Sequence, residues 1–393
     1  MRTASQPDGD EGSGSQHETV RPKVGRPWRL WLWQALIAAC VLWLLVGMVL
    51  STQRNLDTLG ITSGFGFLDR STGWGYSFSL IPRSIDDTYR RTLTIGFLNT
   101  LFLGLLCIAL STVAGFIIGS VRDARNLALA SVAACYIQLF RNIPLILQAV
   151  FWYAAFIHLP GPRQAMSLSD LVFLSNRGLL LPMLNVPLWA GLALLVGSLA
   201  LAAGLVWRRV AVVRALVLWL TITVIACAVA ALTLAPADQG AWSIPALKGL
   251  RFRGGLTVSM ELLAMVVAIT LYSSAYIAEV VRGGLEEVPR GQIEAGQSLG
   301  LSSARIWWEV KLPLALRSII PPLGNQWIFV MKATTVGVAI GFSDLFMIVS
   351  TSITQSGQTL ELIALLMAAF LLINVALARV VDWLNARMQF KGH

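Results

Sequence analysis

Charge is what this sequence most lacks. Asp, Glu, Lys and Arg make up 13% of its 393 residues, against about 25% in soluble domains. So few charges cannot cover a water-facing surface, and a hydrophobic share of 56% with a mean hydropathy of +0.70 points to a protein of the lipid bilayer. Histidine is scarcer still: His17, His158 and His393 stand too far apart to compose a ligand cluster. Cys40, Cys107, Cys135 and Cys227 fall inside apolar segments without paired spacing, which speaks against a disulfide framework or zinc site and for four reduced thiols. No Ser-His-Asp or Cys-His grouping supports an enzyme acting alone. The phosphate-cradling sequence G-x-x-x-x-G-K-[ST] is missing, so if ATP drives this protein, another chain binds it.

What the chain does have is long apolar runs, several beyond the ~18 residues needed to cross a bilayer. They predict an all-α polytopic membrane protein of about eight transmembrane helices, near 30–50, 93–118, 127–157, 186–206, 213–234, 256–280, 316–340 and 360–381. Residues 1–27 read as a disordered polar arm, too acidic and long for a signal peptide. Residues 28–92 hold the first helix and a polar segment whose FGFL and YSFSLIP pieces lie along the membrane or on the bundle. Residues 93–393 form the main transmembrane domain. Gly96, Gly104, Gly115 and Gly119 in the second span let helices approach closely. The pair over about 186–234 has few polar groups and reads as a lipid-facing scaffold.

The net charge of +10 is scattered between spans rather than gathered in one basic domain, which favours membrane orientation over nucleic-acid binding. Eighteen Lys and Arg fall on one side of the eight-span scheme and ten on the other. Both termini, and the loop 281–313, are therefore expected in the cytoplasm.

That loop carries VPRGQIEAGQSLGLSSARIWWEVKLP over 288–313. Pro289 suits a first helical position, Gly300 a stop, and Ser302 or Ser303 the cap of a second short helix. Ile306, Trp307 and Val310 share a face of that helix, and Pro313 bars its simple continuation. By pattern alone such a pair serves equally as a docking knob or as amphipathic helices lying on lipid.

Two basic residues fall well inside spans: Arg141, followed by Asn142, Pro144 and Gln148, and Lys332, near Asn325, Gln326, Thr334 and Thr335. A guanidinium near mid-bilayer costs roughly 2.5–3.5 kcal/mol on insertion scales, so it faces a cavity, a partner or protein. One reading has these residues line a substrate path and grip a carboxylate. The other has each charge pair with Glu261, Glu279 or a backbone carbonyl to lock helices, with Pro144 freeing a carbonyl for Arg141. Glu261 and Glu279 lie ~27 Å apart by helical rise and do not form an acid–base pair.

Glu294-Ala295-Gly296, Gly300 and Val310-x-Leu312-Pro313 resemble the EAA loop of ABC-importer permeases, with Gly296 in place of the usual alanine and Val310 in place of isoleucine. In that family the loop is the coupling helix, docked in a groove of the ATPase. The resemblance implies that role for Arg290, Glu294, Ala295, Gly296, Gly300, Leu312 and Pro313. Phe140 to Gln148 is similar to the F-R-[GN]-[TI]-P-L-[LI]-x-Q segment of polar amino-acid permeases. Pro321 to Gln326 with Lys332-x-Thr334-Thr335 is similar to their P-P-x-x-N-[QE]…K-x-T-[ST] segment, which implies kinks at Pro144 and Pro322. GFGFL at 64–68, FSLIP at 78–82, LPGPRQ at 159–164 and NRG at 176–178 resemble more narrowly the general L-amino-acid permeases, which carry extra spans ahead of the common core.

The resemblance covers most of residues 30–390. It implies a bacterial inner-membrane importer subunit for L-amino acids of broad or Glu/Gln/Asp/Asn range. Its expected partners are a second related permease in a heterodimer, two copies of an ATPase holding ATP and Mg, and a periplasmic binding protein; this chain itself holds no cofactor. The alternative is an ion-driven secondary transporter, which needs acidic residues at mid-depth. Glu261 and Glu279, near the two ends of their span, fit that poorly.

Overall fold

The computed structural model describes residues 27–58, 64–124, 126–208, 212–234, 240–249 and 251–388. The polar arm, but for its last residue, lies outside them. The chain divides into two compact units at Ser63 and Gly64. The first holds α1 (Pro27–Thr58), an apolar helix with Trp31 and Trp33 exposed along it.

The second unit is built on α2 (Tyr89–Arg122), which starts where the Thr88 side chain accepts from the Arg91 amide. Its glycines are the points at which other helices touch it. A Cβ on Gly115 would meet Ile277 of α7 (Met260–Glu286), and one on Gly119 would sit 2.6 Å from the Ala278 carbonyl. Gly104 faces Met331 of α10 (Leu312–Ala333), and Gly96 faces Leu345 and Ile348 of α11 (Leu345–Ser356). The close approaches expected of these small residues are therefore the contacts that assemble the bundle. α12 (Thr359–Met388) closes it, with Val381 against Gly324 of α10.

The third predicted span is not one rod. It is α3 (Leu127–Asn142) and α4 (Leu145–Ile157), bent by 100° at Ile143 and Pro144. Pro144 has no N–H for the Phe140 carbonyl and pushes Ile143 into extended geometry, φ −91 and ψ 123. Pro322, expected as a second kink, sits inside α10, which continues through it. The bend in that part of the chain comes later, 49° across residues 341–344. There Gly341 turns left-handed at φ +74 and Asp344 caps α11 by accepting from the Met347 amide. α11 itself lies between the predicted seventh and eighth spans, unforeseen.

Segment 64–88 takes the second of its two expected placements and packs on the bundle. Buried Asn99 accepts from the Leu80 amide and donates to the carbonyls of Phe78 and Ser343, at 3.0, 3.1 and 2.8 Å. Phe78 stacks between Phe102 and Phe342.

The polar stretches 159–185 and 235–255 read as loops, yet the described parts join as short strands. β1 (Met166–Leu168), β2 (Val172–Ser175) and β3 (Gly178–Leu181) form an antiparallel sheet completed by β8 (Leu256–Val258), which was expected to be the start of the sixth span. β4 (Met183–Leu184) pairs with β5 (Trp242–Ser243), and β6 (Ala246–Lys248) with β7 (Arg251–Arg253). Between β4 and β5 run α5 (Leu188–Trp207) and α6 (Val212–Leu234). They are pinned together where the Trp219 indole donates to the Ser198 carbonyl and hydroxyl. The helix pair thus rises from the base of a strand pair, and the sheet sits at the opposite end of α7 from loop 290–313.

Among the described residues five helices are long and apolar enough to cross a membrane, or up to seven if each bent pair is one span. α5, with 20 residues and ~30 Å of rise, is the further segment in the expected eight. That count is approximate; the mostly helical reading stands.

Candidate functional site

Loop 290–313 opens with α8 (Arg290–Ser298), whose N-cap is Pro289 rather than Pro289 being its first residue. Its end is a double turn. Gly300 donates to the Gln297 carbonyl and Leu301 to the Gly296 carbonyl, with Gly300 at φ +73. Ser302 then caps α9 (Ser303–Arg305) through the Arg305 amide. Gly296 is buried against Ile306, where a Cβ would stand 3.2 Å from Cγ1, so the smallest residue suits the crossing of the two short helices. Ile306 is buried while Trp307 and Val310 are half-buried, so the face predicted for them exists.

The expected stop at Pro313 does not occur. Residues 306–311 form a π turn, in which Leu312 donates five residues back to the Trp307 carbonyl, and the chain runs straight into α10 with Leu312 and Pro313 in its first turn. The wider turn accommodates a proline whose ring would otherwise crowd the carbonyl four residues back. The outward face carries Arg290, Glu294 and Ala295, and Leu299 stands 80% exposed. Ser298 bonds the Glu294 carbonyl.

Beside the break between α3 and α4 the guanidinium of Arg141 lies 4.9 Å from the Tyr276 ring centre. Tyr276 meets Tyr272 at 4.9 Å, and Tyr272 stacks on Phe329 at 5.7 Å. This aromatic row carries Arg141 of α3 across α7 to α10, where Asn325, Phe329 and Lys332 recur at helical spacing on one exposed stripe. Among the described residues neither Arg141 nor Lys332 is in an ion pair; Glu279 is held instead by Arg282, which also binds Glu286.

Two sequence expectations change here. The carbonyl freed by Pro144 goes not to Arg141 but to Gln148, whose Nε2 donates to Phe140 and Ile143, each at 3.0 Å. Gln148 is buried and braces the break rather than lining an open face. Thr334 is buried too, its hydroxyl donating to the Met331 carbonyl, and Thr335 donates to the Lys332 carbonyl. Both hydroxyls close a helical turn. Asn142, Pro144 and Asn325 are exposed, and Gln326 is half-buried.

Residues 111–390, which include both of these regions, match the model of the binding-protein-dependent transport system inner membrane component. The chain belongs to this family. Inner membrane components of this kind are in general not enzymes. A protein of Escherichia coli (strain K12), whose name places it among amino-acid ABC transporter permeases, is 40% identical over 369 residues, 92% of this chain and 94% of that one. A general L-amino acid transport system permease protein of Rhizobium johnstonii is 35% identical, with 86% of each chain covered. A glutamate/glutamine/aspartate/asparagine transport system permease protein of Rhodobacter capsulatus is 30% identical, covering 88% and 90%.

For an inner membrane component the aromatic row is the feature that residue-by-residue reading missed. Its signal was available: Tyr272 and Tyr276, two of only six tyrosines, stand one turn apart and are the only aromatic residues of α7.

Proposed function

We propose that this chain is the permease subunit of a bacterial ABC importer that passes L-amino acids, of broad or Glu/Gln/Asp/Asn range, across the inner membrane. The observation that carries the reading is two exposed cations at the two ends of the aromatic row. Arg141 and Lys332 stand exposed on this one chain in segments read as membrane spans, where lipid would tax them, and Glu279, one expected partner, is held by Arg282 instead. Such a face belongs against a second permease, with the path between the two. There an α-carboxylate, the group all amino acids share, meets a guanidinium at one end of the aromatic row or an ammonium at the other. The relatives named for general and for acidic-and-amide amino acids support the substrate class.

ATP and Mg belong to a dimeric ATPase beneath loop 290–313. Glu294, Ala295 and Leu299 face it, and Leu312 and Pro313 lead its motion into α10. A periplasmic binding protein delivers substrate at the sheet end of α7, and both termini of this chain lie in the cytoplasm. Closure of the ATPase dimer shifts the loop, and α7 and α10 tilt to open the path to one side at a time. Each partner must bind one of the two states more tightly for this to work.

Proteoliposomes test it. Uptake of labelled glutamine is expected only when the chain, its sister permease, ATPase, binding protein and ATP are all present. Uptake by this chain alone from an ion gradient would make it a secondary transporter instead.

A further inference from the structure

Asp123 sits where a carboxylate is disfavoured, at the C-cap of α2 and so at the negative end of the helix dipole. Its partner is Lys311, 188 residues away, whose ammonium donates to Oδ2; both side chains are only 17% exposed. Lys311 is the last residue of the π turn, one residue before α10 begins. Beside the pair a cavity of about 610 Å³ separates the end of α2, at Ser120 and Val121, from Ile293, Gln297, Ser303 and Trp307 of the loop. The ion pair therefore bridges an opening instead of topping a packed contact.

For stability alone an apolar contact would serve as well, since a little-exposed ion pair must offset the desolvation of both charges. The best-attested use of such a pair is to fix register. α2 is also the helix that meets α7, α10 and α11 at its glycines, so displacing its end displaces the bundle.

We propose that Lys311 and Asp123 form a strut that carries movement of the coupling loop into α2, so that α2 moves together with α7 and α10. The proposal rests on the coupling role of loop 290–313, and its test separates the two. In the full complex with ATPase, sister permease and binding protein, Asp123→Asn and Lys311→Met are expected to keep ATP hydrolysis within about twofold while uptake falls about tenfold. Asp123→Glu, and the exchange Asp123→Lys with Lys311→Asp, should restore the ratio of uptake to hydrolysis to within about threefold.

Normal uptake in both single variants overturns the strut. So does a parallel fall of uptake and hydrolysis with loss of the complex on size exclusion, the pattern of a merely structural pair, and so does failure of Asp123→Glu to restore coupling. Gly300→Asp run alongside distinguishes the levels. If it uncouples and Asp123→Asn does not, only the strut is wrong; if neither does, the coupling role itself is wrong.

Discussion

Gly300→Asp and Glu294→Lys are each expected to lower ATP-driven uptake more than tenfold while the protein still inserts, accumulates and assembles. The physical reason is that neither change takes much from this chain. Aspartate is among the residues that best tolerate the left-handed conformation held by Gly300, so the backbone cost is about 1 kcal/mol, and an added Cβ meets nothing within 4 Å. Glu294 is exposed, and the Ser298 hydroxyl bonds its backbone carbonyl and not its carboxylate, so reversing its charge leaves the α8 turn intact. What each variant alters is the face beside Leu299. A charge left uncompensated in a docked interface, whichever its sign, costs several kcal/mol, enough to cut coupling by the stated factor. Uptake and ATP hydrolysis measured on the same preparation read the effect. Wild-type uptake in both variants would remove the docking assignment.

The second large effect is expected at the two exposed cations. Lys332→Met and Arg141→Met should raise the concentration for half-maximal uptake about tenfold or more, and by a similar factor for glutamate, glutamine and leucine, because the gripped group is common to all. Protein yield should hold or improve. Removing Arg141 forfeits a ring contact worth about 0.5–1 kcal/mol at an exposed site and relieves an insertion cost of roughly 2.5–3.5 kcal/mol. Side-chain-selective changes would place these residues in specificity rather than carboxylate binding. Unchanged uptake kinetics would make both structural.

The parts legible in the sequence were those with a local physical cause. The glycines of α2 announce close approach because nothing else fits there. Gly300 and Ser302 announce helix ends because a turn and a cap need them. Pro144 announces a break. Its 100° angle was not legible, nor was the role of Gln148, because a buried amide paired with a carbonyl eight residues earlier reads in sequence like any polar group in a span.

The sheet was hidden by chain separation. β3 and β8 pair across the α5–α6 insertion, and β1 is exposed at every residue, so no alternation marks it. α11 escaped because Ser350, Thr351, Ser352 and Thr354 interrupt its apolar run; Thr351 and Thr354 return their hydroxyls to the carbonyls of Met347 and Ser350. Pro313 misled for a related reason, since a π turn is a tertiary accommodation that no local preference signals. The pairing of Lys311 with Asp123, too distant in sequence to suspect, belongs to the same class.

ATP-driven transport through this chain requires loop 290–313 to meet a cytoplasmic ATPase. In a background with Cys40, Cys107, Cys135 and Cys227 replaced by serine, Leu299→Cys can be probed with a membrane-impermeant maleimide. Labelling is expected in everted vesicles stripped of the ATPase, protection when the ATPase is restored, and none in intact spheroplasts. Labelling in spheroplasts would put the loop on the wrong side of the membrane and contradict the account.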